Sequence, residues 1–250
     1  MMKVIFAVLG LGLCWQAAAA DYKLYAAAGV KLPVQQIAQR YAQAGTDRVL
    51  LDFDTAGAAQ DKFQKDAEAS FLITTEERLR AAQAAGQLGP GQMYLLADTV
   101  AGIASSRQPK PAIATEEDLR QALLAARSIA FSDPARGATV GKHFASLIRS
   151  LGLEEQVLAK ATLARDGVHT MQLVQSGVVE LGITQLSEVV QADASTLVGP
   201  FPGRWDLYTR YALWVRHGDQ AAVARFLQDL RSQEGLQSFR SQGLRPVPGQ

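Results

Sequence analysis

Three short apolar runs in this sequence each end in small or turn-forming residues and lead directly into a helix-forming stretch. The clearest case is 129–142, where an apolar run is followed by Ser-Asp-Pro and a loop bounded by glycines. The other two cases follow the runs 22–28 and 49–53. At such a junction the first helical turn has backbone N–H groups without intrahelical partners, at the positive end of the helix dipole. Small side chains let a ligand approach that backbone, so the junctions predict a site that binds an anion through amides.

The first twenty residues have the composition of a secretory signal peptide. Residues 1–3 form a short basic start, 4–15 are apolar, and 17–20 supply the small residues that a signal peptidase requires. The apolar stretch is too short to span a bilayer. We therefore expect export to the periplasm and a mature chain that begins at Asp21. Cys14 follows a bulky leucine, so we interpret it as part of the signal peptide and not as a lipid attachment site.

Removal of this segment removes the only cysteine, which excludes a disulfide and a thiolate metal site. The remaining 230 residues carry 24 basic and 24 acidic side chains, without a basic run. That balance gives no electrostatic footprint for nucleic acid or an anionic membrane. His143 and His217 are isolated, so we expect no metal and no cofactor. The length suffices for two modest α/β domains.

Apolar runs alternate with amphipathic stretches along most of the chain. This pattern is typical of an α/β protein with mostly parallel strands. The segments 93–97 and 101–104 are predicted as two strands. The helix after the 129–142 junction is predicted to start near Lys142.

Two places along the chain have the character of domain crossings. One is near 97–101, and the other is near 200–205, where proline and glycine are dense. Two crossings imply that one domain is inserted into another. We therefore predict two lobes, the first formed by 21–97 plus 206–250 and the second by 98–205.

Five segments occur in an order and at spacings that resemble one protein family: 24–28, 52–57, 132–134 with Gly141, 166–168 and 180–184. They resemble the periplasmic molybdate-binding proteins, which belong to the type II periplasmic binding fold of ABC importers. The resemblance covers nearly the whole mature chain. It implies two α/β lobes with a ligand cleft between them, a monomer, and a membrane permease as partner.

In that family two lobes close on an oxyanion that is held by serine hydroxyls and backbone amides. The resemblance places the two serine positions on Gly29 and Ala56, and a tyrosine position on Gln185. Both serine hydroxyls are therefore missing here, although Thr55 lies one place before the second position. We expect a divergent member of the family with a ligand of its own.

The same resemblance places amide donors near Val140 and Gly141, and at Val168. Small residues beside these positions complete the predicted site. The candidate ligand-binding residues are Ala28, Gly29, Thr55, Ala56, Arg136, Thr139, Val140, Gly141, Val168, His169 and Gln185.

Several charged side chains are candidates for contact with the anion. Arg136 lies in the glycine-bounded loop, where a guanidinium suits bidentate carboxylate recognition, with a solvated loop arginine as the equal alternative. Lys31, Lys142 and His169 lie in or near first helical turns, where ligand contact and plain exposure both remain open. Asp54 has the position of an ordinary helix N-cap. In a cleft it would repel an anion unless Arg or Lys neutralised it.

Three classes of function are compatible with this pattern. A solute receptor would close its lobes on a small anion, molybdate-like or a small carboxylate, for a membrane permease. A sensor would use the same fold for a signalling partner. A small periplasmic enzyme would need a perturbed acid–base pair in the cleft, and the three junctions offer few titratable groups. We therefore predict a non-enzymatic solute-binding protein, and the missing hydroxyls favour an organic acid over a bare oxyanion.

Overall fold

The strands of the computed structural model form one continuous mixed sheet. The structure describes residues 20–45, 47–216 and 220–247. His217 and residues 1–19 of the predicted signal peptide therefore lie outside the described residues. The strands are β1 (Asp21–Ala27), β2 (Arg48–Asp54), β3 (Ala69–Thr75), β4 (Gln92–Ser105), β5 (Ile129–Ser132), β6 (Ala161–Ala164), β7 (Leu181–Gln185), β8 (Leu197–Pro200), β9 (Tyr208–Val215) and β10 (Arg245–Pro246). Their order is β2-β1-β3-β9-β4-β7-β5-β6, with β8 and β10 both paired to β4.

Helices cover both faces of this sheet, as the alternating pattern predicted. They are α1 (Lys31–Ala44), α2 (Ala56–Lys65), α3 (Glu76–Ala84), α4 (Glu116–Ala125), α5 (Thr139–Ser150), α6 (Glu154–Leu158), α7 (Gly167–Gln175), α8 (Leu186–Asp193), α9 (Ala221–Arg231) and α10 (Gln233–Ser241). Within the described ranges, none of them is long and apolar enough to cross a membrane. The predicted α/β fold class is confirmed.

Strand β4 is a single element, where the sequence analysis predicted two separate strands at 93–97 and 101–104. It pairs with β9 up to Val100 and with β7 from Ala101 onward, so it passes from one half of the sheet to the other. The polar residues between the predicted strands do not interrupt it, because Asp98 lies opposite Arg210 and accepts a hydrogen bond from its Nε at 2.7 Å.

The prediction of mostly parallel strands is wrong. Strand β1 is parallel to β2 and β3, and β5 is parallel to β6 and β7. Every pairing of β4 and β9 in the described sheet is antiparallel. The reason is topological: the chain leaves the first half of the sheet along β4 and returns to it along β9, in the opposite direction.

Each half of the sheet has its own hydrophobic core. The largest cluster of the first half draws on residues 24–97 and 211–244, and that of the second half on 101–201. Aromatic pairs lie at the centre of both, with ring centroids 5.0 Å apart for Phe71–Phe226 and for Phe131–Phe144. Separate cores are what two lobes require. That the halves 21–97 plus 206–250 and 98–205 move as separate lobes stays a prediction.

Candidate functional site

Five strand-to-helix junctions meet at one small cavity between the two halves of the sheet. They are β1–α1, β2–α2, β5–α5, β6–α7 and β7–α8, and β9 supplies one further residue. The cavity has a volume of about 30 Å³ and is lined by Ala27, Ala28, Gly29, Asp54, Thr55, Ala56, Ser132, Ala138, Thr139, Val140, Gly167, Thr184, Gln185, Glu188 and Tyr211. Four of the helices, α2, α5, α7 and α8, begin at the lining, whereas α1 begins at Lys31, two residues beyond Gly29. Helix N-termini of this kind favour an anion.

The structure brings seven of the predicted site residues to this cavity and places four outside its lining. The seven are Ala28, Gly29, Thr55, Ala56, Thr139, Val140 and Gln185, and the four are Arg136, Gly141, Val168 and His169. The His169 ring accepts a hydrogen bond from the Arg165 amide at 3.1 Å, so it points back along its own loop. Lys31 and Lys142 do not line the cavity either.

Helix α5 begins at Thr139, three residues before the predicted start at Lys142. Its first turn lies directly against the end of β5, because Gly141 has no Cβ, which would overlap the carbonyl oxygen of Ser132. Residues 139–141 thus form helix and not loop, with Ala138 as the extended N-cap residue. This early start is what brings the first-turn amides to the cavity.

Glu188 on α8 is a cavity residue that the sequence analysis did not identify. Its side chain is buried, and its Oε2 accepts hydrogen bonds from the Thr184 hydroxyl and from the Gln185 amide at 3.2 Å. The carboxylate lies against Gly167, where a Cβ would overlap it. In the sequence this glutamate has the position of an ordinary N-terminal capping residue, third in its helix, so the local pattern gave no functional signal.

Burial raises the pKa of Glu188 to about 7. The charge of Asp166 adds to this rise, and the hydrogen bonds from Thr184 and Gln185 oppose it without cancelling it. A carboxyl group in this range exchanges its proton readily near neutral pH, which is the property that a general acid–base residue requires.

We expect this raised pKa to make the stability of the protein depend on pH. Between its ordinary pKa of 4.5 and about 7, Glu188 binds a proton in the folded state but not in the unfolded state. The free energy of unfolding should therefore fall as pH rises through this window, by at most about 1.4 kcal/mol per pH unit. Urea denaturation across the window measures the slope. The Glu188→Gln variant should lack this component, and an identical slope in both proteins would contradict the assignment.

Tyr211 contributes a hydroxyl to the cavity from β9. Its side chain is buried and occupies the space beside Gly29, where a Cβ would overlap the hydroxyl. Burial raises the pKa of Tyr211 well above its usual value, and the charge of Glu188 adds to the effect. Tyr211 therefore stays protonated and is a hydrogen-bond donor. The resemblance placed the family's tyrosine position on Gln185, at the end of β7. In this structure the tyrosine at the cavity is instead Tyr211, on β9.

Gln185 has one free polar atom beside the cavity. Its Nε2 donates to the Thr209 hydroxyl at 2.8 Å, while its Oε1 is buried without a hydrogen-bond partner in the part of the chain that the structure describes. A buried polar atom without a partner is uncommon and points to an interaction with a bound molecule.

Asp54 is neutralised by two cations, Lys62 from α2 and Arg136 from the loop between β5 and α5. Arg136 Nη2 lies 2.8 and 3.1 Å from its two carboxylate oxygens, and Lys62 Nζ lies 3.1 Å from Oδ2. Burial alone would raise the pKa of Asp54, but the Thr55 amide, Arg136 and Lys62 outweigh it and hold the pKa below its usual value. The cations that the sequence analysis required beside Asp54 are therefore present.

The halves of the sheet also touch at two places beside the cavity, once through backbone alone and once through the side-chain amide of Gln191. Gly57 N donates to Gly137 O at 3.2 Å, and a Cβ on Gly57 would lie only 2.7 Å from the Cα of Gly137. On the other side, the Gln191 amide donates to Gly29 O at 2.8 Å and accepts from Leu32 N at 2.9 Å. These contacts hold the cavity closed on two sides.

A larger cleft of about 450 Å³ adjoins the cavity and shares Thr139 with it. It is lined by Thr75, Glu76, Glu77, Arg80, Thr139, Leu207, Tyr208, Thr209 and Arg210. In the described residues no group of three His, Cys, Asp or Glu side chains is arranged to hold a metal ion.

The fold and the cavity together define a class of binding protein. A family model described as bacterial extracellular solute-binding protein matches residues 22–245. The chain belongs to this family.

Solved structures show the same fold at low sequence identity. The periplasmic molybdate-binding protein of Azotobacter vinelandii has a TM-score of 0.70 at 18% identity, over 92% of this chain and 100% of that one. PEB3, in a structure with bound L-phospholactate, has a TM-score of 0.63 at 15% identity, over 90% of this chain and 99% of that one. PEB3 is a protein of Campylobacter jejuni. The predicted resemblance to the molybdate-binding proteins is confirmed at the level of fold.

One relative changes the functional expectation. An aconitate isomerase from a Pseudomonas species is 26% identical to this chain over 200 residues, which cover 79% of this chain and 75% of that protein. The prediction of a non-enzymatic protein is wrong on this comparison, because this relative is an enzyme. The sequence analysis counted titratable groups at three junctions and did not consider Glu188, which lies at another junction and whose pKa burial raises to about 7.

Proposed function

We propose that this protein is an enzyme that isomerises a small unsaturated polycarboxylate, of which aconitate is the model, by proton transfer through Glu188. The observation that carries the proposal is a buried carboxyl group with a pKa of about 7 in a cavity at which four helices begin. The similarity to an aconitate isomerase supports the same substrate class.

The binding chemistry of the cavity suits carboxylates. The N-termini of four helices, α2, α5, α7 and α8, supply backbone amides as hydrogen-bond donors, and the Ser132 and Thr139 hydroxyls lie among them. A carboxylate held by several such donors is bound without a full positive charge in the cavity. The remaining carboxylates of a polycarboxylate would lie toward other helix N-termini on the cavity wall.

The proton transfer needs a single base. Glu188 takes a proton from the methylene carbon, the C–H bond breaks, and its electron pair delocalises over the adjacent double bond and carboxylate. Glu188 then returns the proton to the far carbon, so the double bond moves by one position and no oxidant or reductant is required. The geometry of the new double bond follows from the conformation in which the methylene carboxylate is held. Cis and trans isomers are therefore interconverted.

The surroundings of Glu188 fit this step. Thr184 and Gln185 both donate to Oε2, which leaves Oε1 as the oxygen to take the proton. The negative charge that develops on the substrate is stabilised by the helix amides and by the protonated Tyr211 hydroxyl. A preorganised set of donors is worth several kcal/mol to such a transition state, with about 3 kcal/mol lost per donor removed.

Substrate entry requires the halves to separate. A cavity of about 30 Å³ is close to the size of one water molecule, and a tricarboxylate is several times larger. The Gly57–Gly137 and Gln191–Gly29 contacts must therefore open, and the adjoining cleft provides the path. Closure over the substrate would then exclude water from the reaction.

The test is an assay of the purified mature protein with cis-aconitate in deuterium oxide. We expect proton NMR to show trans-aconitate appearing in proportion to the amount of protein, with deuterium entering the methylene position when Glu188 exchanges with solvent. Heated protein is the control. Binding without any isomerisation or deuterium exchange would contradict the proposal.

A second candidate function is capture of the same anion for a membrane permease of an ABC importer. The solute-binding family and the two-core fold favour it. The same cleft would serve both functions, and the periplasm is the compartment for both. Uptake of labelled aconitate by cells with and without the gene would support this candidate if only the former accumulate the label.

A further inference from the structure

The Asp54–Arg136 ion pair connects the two halves of the molecule at the wall of the cavity. Asp54 ends β2 and lines the cavity, and Arg136 lies in the loop between β5 and α5. Arg136 Nη2 contacts both oxygens of the Asp54 carboxylate. Arg136 is therefore bound to a carboxylate that belongs to the protein itself.

Each partner of this pair has other partners on its own side. Asp54 accepts a hydrogen bond from the Thr55 amide at 2.8 Å and lies 3.1 Å from Lys62 Nζ. Arg136 donates through Nε to the Arg165 carbonyl at 3.0 Å. Loss of the Asp54–Arg136 contact would thus leave Asp54 paired with Lys62, and Arg136 hydrogen-bonded to a carbonyl and partly exposed to solvent. This arrangement distinguishes the pair from a buried salt bridge whose rupture leaves an uncompensated charge.

Arg136 can also be reached from outside the cavity. Its side chain is 39% exposed, whereas that of Asp54 is 8% exposed. A second carboxylate can therefore approach the guanidinium from solvent. Arginine binds carboxylates bidentately, so a ligand carboxylate is a direct replacement for Asp54.

We propose that Asp54 is an internal competitor for Arg136, and that a carboxylate of the substrate displaces it. The inference rests on the proposed function for the class of substrate, a small polycarboxylate. An anion whose carboxylates are all satisfied by helix amides leaves the Asp54–Arg136 pair intact and gains nothing from Arg136. When an anion has a further carboxylate, that carboxylate takes the place of the Asp54 carboxylate at Arg136. The pair therefore selects tricarboxylates over dicarboxylates.

Two saturated probes test this selectivity without turnover. Tricarballylate has the carbon skeleton and the three carboxylates of aconitate but no double bond, and glutarate lacks the central carboxylate. Calorimetry should show that the wild-type protein binds tricarballylate at least about tenfold more tightly than glutarate. Arg136→Gln should weaken tricarballylate binding by about tenfold or more and change glutarate binding by less than about threefold. Asp54→Asn, which removes the competitor, should strengthen tricarballylate binding.

Arg165→Gln is the matched control, because it removes the same charge from the neighbouring loop, where the guanidinium contacts Asp166 and not Asp54. It should leave the preference between the two probes unchanged. If Arg136→Gln does not fold, Arg136→Lys keeps the charge and should reduce the preference through loss of bidentate geometry.

The outcomes separate this inference from the proposed function. Equal weakening of both probes by Arg136→Gln, or weaker tricarballylate binding in Asp54→Asn, would overturn the inference alone. Selective binding by a wild-type protein that does not isomerise aconitate would overturn the isomerase alone. A wild-type protein that binds neither probe would contradict both.

Discussion

Glu188→Gln is expected to lower the rate of aconitate isomerisation by about 10²–10⁴-fold, the usual contribution of a general acid–base residue. Glutamine keeps the shape of the side chain and can still accept from Thr184 and from the Gln185 amide, so the fold and the binding of tricarboxylates should persist. What is lost is the group that takes and returns the proton. The measurement is kcat by NMR, together with the rate of deuterium entry into the substrate.

Glu180→Gln is the control for this substitution. Glu180 is also buried in the second half of the molecule, but it lies outside the cavity and forms ion pairs with Arg107 and Arg127. Burial would raise the pKa of Glu180, but hydrogen bonds and charge from Arg127 and Arg107 outweigh it and hold the pKa below its usual value. We expect Glu180→Gln to affect stability and not kcat. Similar rates for wild type and Glu188→Gln would refute the role of Glu188.

The parts of the site that are local in sequence were predictable. A strand that ends in small residues and leads into a helix is a pattern of about ten residues, and its physical consequence is a cluster of free amides. The junctions at Ala28, Ala56 and Val140 all reach the cavity for this reason. Their convergence follows from the fold, because the carboxyl ends of parallel strands within each half face the same side.

The parts of the site that depend on distant pairings were not predictable from the pattern alone. Tyr211 reaches Gly29 only because β9 returns between β3 and β4, which no local signal indicates. The Asp54–Arg136 pair joins residues 82 positions apart. Glu188 was hidden in a different way: its contact with the Gln185 amide is that of an ordinary helix cap, and only burial in the cavity gives it a raised pKa.

Gly167→Ala is expected to reduce isomerisation by about 10²-fold, although the substitution is only one methyl group on a helix. A Cβ at this position would overlap the Glu188 carboxylate, so the carboxylate must move away from the Thr184 hydroxyl and the Gln185 amide. A displacement of about 1 Å in a catalytic group can cost about 10²-fold in rate. Gly167 begins α7 without a positive φ, so alanine fits the backbone and the loss cannot come from strain there.

Gly199→Ala is the matched control, because a Cβ there would lie at an ordinary 3.6 Å from Ile113 Cδ1. It should leave kcat unchanged.

In Gly167→Ala, weaker hydrogen bonds to Oε2 should also raise the pKa of Glu188. The limb of the pH–rate profile that reports the basic form of Glu188 should therefore move to higher pH. In a Glu188→Gln background the alanine should add little further loss, because the group it displaces no longer transfers a proton. A full additional 10²-fold loss in the double variant would mean that Gly167 acts on the substrate directly and not through Glu188.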